Sequence, residues 1–268
     1  TGTGKTMIAA FDFRKFMVEN PNGKFLFVVH RIEILKQSLH TFRNVLKDKN
    51  FGELYGNGYE PKYKNAVFAT VQTLSNLDFE TYSTKNYFDY IILDEAHHGQ
   101  ASTYQKIINY FDPQILLGLT ATPERMDGKS ILPDFNNKIA AEIRLPDALN
   151  NKLLCPFQYF GISDSVDYSH IKWSSGKYDS AELTNIYTAN DIRVGDIIKN
   201  LNDYTKDIHS VSAVGFCVSV EHAKFMQRKF CNAGLSAEYL VSENSANRED
   251  IIHKFKKKEI NYLFVVDI

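Results

Sequence analysis

The chain has 268 residues, room for one large domain or two of ordinary size, and its 44% hydrophobic and 24% charged residues make it globular rather than disordered. A formal net charge of -1 argues by composition against a nucleic-acid binder, although local charge can still line one cleft of a neutral protein. Cys155, Cys217 and Cys231 lack CxxC spacing, which argues against a zinc site or disulfide framework and for reduced thiols in the cytoplasm; no apolar run approaches the roughly 20 residues of a membrane span.

In chain order, residues 5–19 read as a helix, stopped by the turn signal Asn20-Pro21-Asn22-Gly23. Phe25-Leu26-Phe27-Val28-Val29 is a continuous apolar run, the pattern of a strand buried on both faces. Ile32, Leu35, Leu39, Phe42 and Leu46 then recur at helical spacing. Residues 67–70, 90–93 and 115–119 are further buried-strand candidates. Short apolar strands alternating with helices predict an α/β fold, with a parallel sheet covered on both faces. The aromatic residues, 13% of the chain, fall inside these apolar runs and so read as core.

The alternation loosens after Leu145. Residues 147–189 mix polar stretches with strand-like pieces such as 157–160 and hold the single tryptophan, Trp173. Regularity resumes with a helix at 191–204, a strand at 211–217, helices at 220–233 and 247–257, and a strand at 262–266. The expected organisation is a first domain over 1–144, a linker and domain opening over 145–190, and a second domain over 191–268. The lysine run at 254–258 reads as a solvated helix end.

Three motifs carry the chemistry. Gly2-Thr3-Gly4-Lys5-Thr6 matches the back half of a P-loop, in which glycines let backbone N–H groups converge on phosphate and the following helix adds its positive end. There Lys5 reaches the β- and γ-phosphates, and the Thr6 hydroxyl ligates Mg²⁺. Asp94-Glu95-Ala96-His97 follows an apolar strand, which puts its carboxylates at the sheet edge where open α/β folds bind ligands. Asp94 can hold Mg²⁺, and Glu95 can polarise the water that attacks the γ-phosphate. Thr120-Ala121-Thr122 ends another apolar strand, with hydroxyls that could relay nucleotide state from that loop.

In this order the three motifs resemble motifs I, II and III of superfamily 2 helicases and translocases. Val29-His30-Arg31 with Leu35 and Gln37 is similar to motif Ia, residues 69–74 to motif Ib, residues 214–219 to motif IV, and residues 265–268 to the approach to motif V. The resemblance implies two RecA-like parallel-sheet domains in tandem, both truncated, and an ATP-dependent motor that moves along or separates nucleic acid, with DNA favoured over RNA. It implies ATP and Mg²⁺ as cofactors, Lys5 and Glu95 as catalytic residues, and His97, Thr120 and Thr122 in coupling. Arg31, Thr70 and Gln72 match the positions that touch the strand backbone. The spacing HRxxxLxQ over residues 30–37, with residues 154–161 and 216–223, resembles a restriction-enzyme type of motor. In one bacterial subgroup of it a phospholipase-D-like nuclease often precedes the motor, so a nuclease domain or subunit outside this chain is an expected partner. The strand before the P-loop and the arginines of motif VI fall outside these residues, so the chain alone is expected not to turn over. Two other readings stay open: a P-loop switch NTPase that never touches nucleic acid, and a binding module with a vestigial nucleotide site.

Overall fold

The structure, a computed structural model, describes residues 2–96, 102–122, 130–164, 166–174, 177–242 and 247–266. The chain divides into two compact units, Thr1–Gln158 and Tyr159–Ile268. The division falls inside the 145–190 stretch read as linker and domain opening.

The first unit contains α1 (Lys5–Glu19), β1 (Phe25–Val29), α2 (Ile32–Leu46), β2 (Glu53–Tyr55), β3 (Ala66–Thr70), α3 (Val71–Ser75), α4 (Phe79–Tyr82), β4 (Tyr90–Asp94), α5 (Ser102–Tyr110), β5 (Ile115–Leu119) and α6 (Leu145–Asn150). Its sheet has the order β2-β3-β1-β4-β5. Every pairing is parallel, with Phe25 opposite both Ala66 and Tyr90, and Tyr90 opposite Ile115. All five strands therefore end on one edge, at Tyr55, Thr70, Val29, Asp94 and Leu119.

Strand alternation sends Phe25, Phe27 and Val29 into one core with Phe13 of α1 and Phe42 of α2. Leu26 and Val28 go into a second core with Leu74 of α3 and Ile107 of α5. Both faces are thus covered, which is why these strands read as unbroken apolar runs. The first core is a set of packed aromatic rings, with Phe13 and Phe25 centroids 4.3 Å apart and Phe25 and Phe68 5.4 Å apart. Phe13 also packs edge-on against Tyr90. Phe25 and Tyr90 begin their strands, so the later turns of α1 lie at the N-terminal edge of the sheet. The first turn of α1 therefore lies at the C-terminal edge.

The second unit contains the hairpin β6 (Trp173–Ser174) and β7 (Lys177–Tyr178), then α7 (Ser180–Thr188), α8 (Asp191–Tyr204), β8 (Ala213–Phe216), α9 (Val220–Asn232), β9 (Ala237–Leu240), α10 (Arg248–Lys256) and β10 (Tyr262–Val265). Its sheet is parallel in the order β8-β10-β9. Phe230 of α9 packs against Tyr262 and Phe264 at centroid distances of 5.0 and 4.9 Å. Among the described residues no helix is long and apolar enough to cross a membrane.

One expectation is overturned. Residues 157–160 form no strand, and Phe157 and Tyr159 stand 61% and 86% exposed. An apolar run becomes a strand only where a ladder partner satisfies its backbone, and none of the described strands pairs with this segment.

Candidate active site

Gly2 and Gly4 have φ of +83° and +84°, the left-handed region that favours glycine. Gly4 is the N-cap of α1. No side chain caps this end, and the first turn carries no acidic residue. The N–H groups of that turn and the positive end of the helix dipole are thus left for an external anion. Thr3, Lys5 and Thr6 are half-buried around it.

Asp94 closes β4 and is 6% exposed. Its Oδ1 accepts from the Glu95 N–H at 2.9 Å. Burial pushes the Asp94 carboxyl above its ordinary range; the Glu95 N–H bond opposes this, the Glu95 charge adds to it, and the Lys5 ammonium opposes it. Lys5 is therefore close enough for its charge to act on Asp94. The P-loop and the acidic loop, distant in sequence, face each other at one sheet edge. The two carboxylates are oxygen ligands of the kind a hard divalent cation takes, although among the described residues no group of three or more His, Cys, Asp or Glu could hold a metal ion by itself.

Register places Leu119 opposite Asp94, so Thr120 follows at the same edge. The Thr120 hydroxyl donates to the Thr122 carbonyl at 2.9 Å, and the Thr122 N–H returns to Thr120 Oγ1 at 3.1 Å. His97, Pro123, Asp267 and Ile268 lie outside the described residues.

Farther along the edge, Arg31 is exposed and caps α2, immediately after β1. Gln72 is exposed on the first turn of α3. Thr70 is different. It is 2% exposed, and its hydroxyl caps α3 by accepting from the Thr73 N–H and bonding Thr73 Oγ1 at 2.8 Å. Its burial makes it a helix cap, and Gln72 is the exposed group on this turn. Sequence reasoning missed Tyr104 of α5. Its hydroxyl donates to the Asp94 carbonyl at 2.7 Å, and its ring lies 5.3 Å from that of His30. Nothing in its spacing marked it beyond one apolar position of an amphipathic helix. A cavity of about 470 Å³ at the opposite edge, lined by Pro21, Lys24, Gly52 and Ala66 among others, contains none of the motif residues.

Residues 1–125 match the family described as type III restriction enzyme, res subunit. A 51.5 kDa protein of Lactococcus phage (isolate 7-9) is 30% identical over all of this chain and 53% of its own length. The type I restriction enzyme EcoAI endonuclease subunit of Escherichia coli is 24% identical over 87% of this chain and 31% of its own. The Hef helicase domain of Pyrococcus furiosus has a similar fold, with a TM-score of 0.59 at 14% identity, covering 99% of this chain and 81% of that one.

The chain is similar to these restriction-enzyme and helicase proteins, with the family match confined to residues 1–125. It spans about half the length of the first curated relatives it matches, or less. The fold of its parallel sheets is RecA-like. The acidic loop follows β4, where the Lys5 charge acts on Asp94, and Arg31 and Gln72 follow β1 and β3 at the same edge.

Proposed function

We propose that the full protein hydrolyses ATP to drive movement along nucleic acid, DNA in preference to RNA. The observation that carries this reading is the meeting of the uncapped, glycine-led start of α1 with Asp94 and Glu95 at one edge, where the Lys5 charge acts on Asp94. In this reading the N–H groups of the Gly2–Thr6 turn and the Lys5 ammonium bind the phosphates. Thr6 and Asp94 hold Mg²⁺, which when bound offsets charge on the phosphate oxygens. Glu95 orients the attacking water and takes its proton. Thr120, Thr122 and His97 pass nucleotide state along the edge.

Arg31 and Gln72 offer a cation and an amide to a strand backbone, contacts that position without reading bases. Their exposure beside the phosphate site favours a motor over a switch NTPase. The restriction-enzyme relative favours DNA, and with it a nuclease domain or subunit as partner. All three cysteines are free, which suits a reducing cytoplasm.

The test is ATP turnover by the full-length protein with single-stranded DNA, duplex DNA and RNA side by side. We expect stimulation by DNA well above that by RNA. Turnover indifferent to every nucleic acid would return the assignment to the switch NTPase.

A further inference from the structure

Glu95 is a non-glycine residue in the left-handed region, at φ +53°. That backbone is strained for an L-residue and persists only where its surroundings hold it. Here one peptide unit, between Asp94 and Glu95, is held at both ends. Its N–H donates to Asp94 Oδ1 at 2.9 Å, and its carbonyl accepts from the Tyr104 hydroxyl at 2.7 Å. Tyr104 is fully buried, so no water competes for that carbonyl. The Tyr104 ring lies 5.3 Å from that of His30, one residue before Arg31.

We propose that Tyr104 is a positioning residue for Glu95. Its hydroxyl fixes the Asp94–Glu95 peptide in the orientation that aims the Glu95 carboxylate at the attacking water. Its ring seats the end of β1 against the same peptide. The inference rests on the reading of Glu95 as the residue that orients water. It adds a residue outside the motifs, reached through the carbonyl of Asp94 rather than through any contact with nucleotide.

Tyr104→Phe removes the hydroxyl and keeps the ring, so a purely packing role predicts an active variant. The same helix supplies a control. The Tyr110 hydroxyl also donates to a backbone carbonyl at 2.7 Å, that of Ser83, away from the acidic loop. The experiment measures kcat, KM for ATP, affinity for a fluorescent ATP analogue and melting temperature in the full-length protein. It compares the parent with Tyr104→Phe, Tyr110→Phe and Glu95→Gln. A displaced catalytic group loses about 10- to 100-fold in rate. We expect that loss in kcat for Tyr104→Phe, with KM and analogue affinity within about twofold of the parent. Tyr110→Phe should match its change in melting temperature and keep the parent kcat. Equal kcat losses in both tyrosine variants, or analogue affinity falling in step with kcat, would reduce Tyr104 to a packing residue. An active parent with Glu95→Gln inactive and Tyr104→Phe at full rate overturns the role of Tyr104 alone. A parent that shows no turnover, or a fully active Glu95→Gln, overturns the reading of Glu95 and this inference with it.

Discussion

His222 shows how much a single side chain of the second unit depends on its surroundings. It sits on α9, 5% exposed, beside the Tyr187 ring at 4.9 Å. Its Nδ1 accepts from the Val218 N–H at 3.4 Å, so the proton of the neutral ring is on Nε2, which has no hydrogen-bond partner. Burial first, and the Arg193 guanidinium second, lower its pKa to about 4. The unfolded chain takes up the proton near the ordinary value of 6.5, whereas the folded chain resists it until about 4. The neutral histidine is therefore fully compatible with the fold above pH 6.5, and stability is lost as pH falls through that window. The loss is on the order of 3 kcal/mol. Denaturant titrations at pH 7 and pH 4.5 should show a smaller acid loss in His222→Leu than in the parent. An identical loss in both would mean that His222 is not the group responsible. The sequence presents this histidine only as part of the segment 216–223, because burial of a ring nitrogen is a tertiary property without a local pattern.

The elements legible in the sequence are those whose pattern and environment agree. α1 begins at Lys5 and ends at Glu19 because a left-handed glycine opens it and the Asn20–Gly23 turn closes it. β1, β3 and β4 are continuous apolar runs because helices cover both faces of their sheet, whereas β5, at the sheet edge, is half-buried up to Leu119. The ones that escaped notice are short or mixed. β9 reads Ala-Glu-Tyr-Leu at the edge of its sheet, and its identity comes from the ladder to β10. β2 has three residues and depends on β3 in the same way. Its entry turn carries a firm constraint. Gly52 has φ +69°, and a Cβ there would lie 2.6 Å from the Phe68 ring, inside the aromatic core. Left-handed strain and overpacking act together, so Gly52→Ala should cost about 2–4 kcal/mol. Chemical denaturation checks this; a cost below 0.5 kcal/mol, the ordinary scatter of surface substitutions, would mean that the turn relaxes freely. In the candidate site the glycines, Lys5, Thr6, Asp94 and Glu95 stand out in the sequence because phosphate and carboxylate chemistry would fix residue type and order; the structure adds that Gly2 and Gly4 are left-handed and that the Lys5 charge acts on Asp94. Tyr104 acts through a backbone carbonyl, and Thr70 proves to be a helix cap, so neither role is encoded in a motif.

At the scale of the whole molecule, the parallel order β2-β3-β1-β4-β5 aligns every strand end along one edge of the first unit. The glycine-led turn joins that edge from α1, and the acidic loop from β4. The Asp94 carboxyl, raised by burial and opposed by Lys5, is the electrostatic signature of that meeting. The central claim is that this edge hydrolyses ATP with Glu95 as the residue that activates water. The most direct measurement is ATP binding and single-turnover hydrolysis by the full-length protein and its Glu95→Gln variant. The amide keeps the shape of the side chain and removes its charge. The account predicts unchanged ATP affinity with hydrolysis slowed about 10²–10⁴-fold. A Glu95→Gln protein that hydrolyses ATP at the parent rate would contradict it.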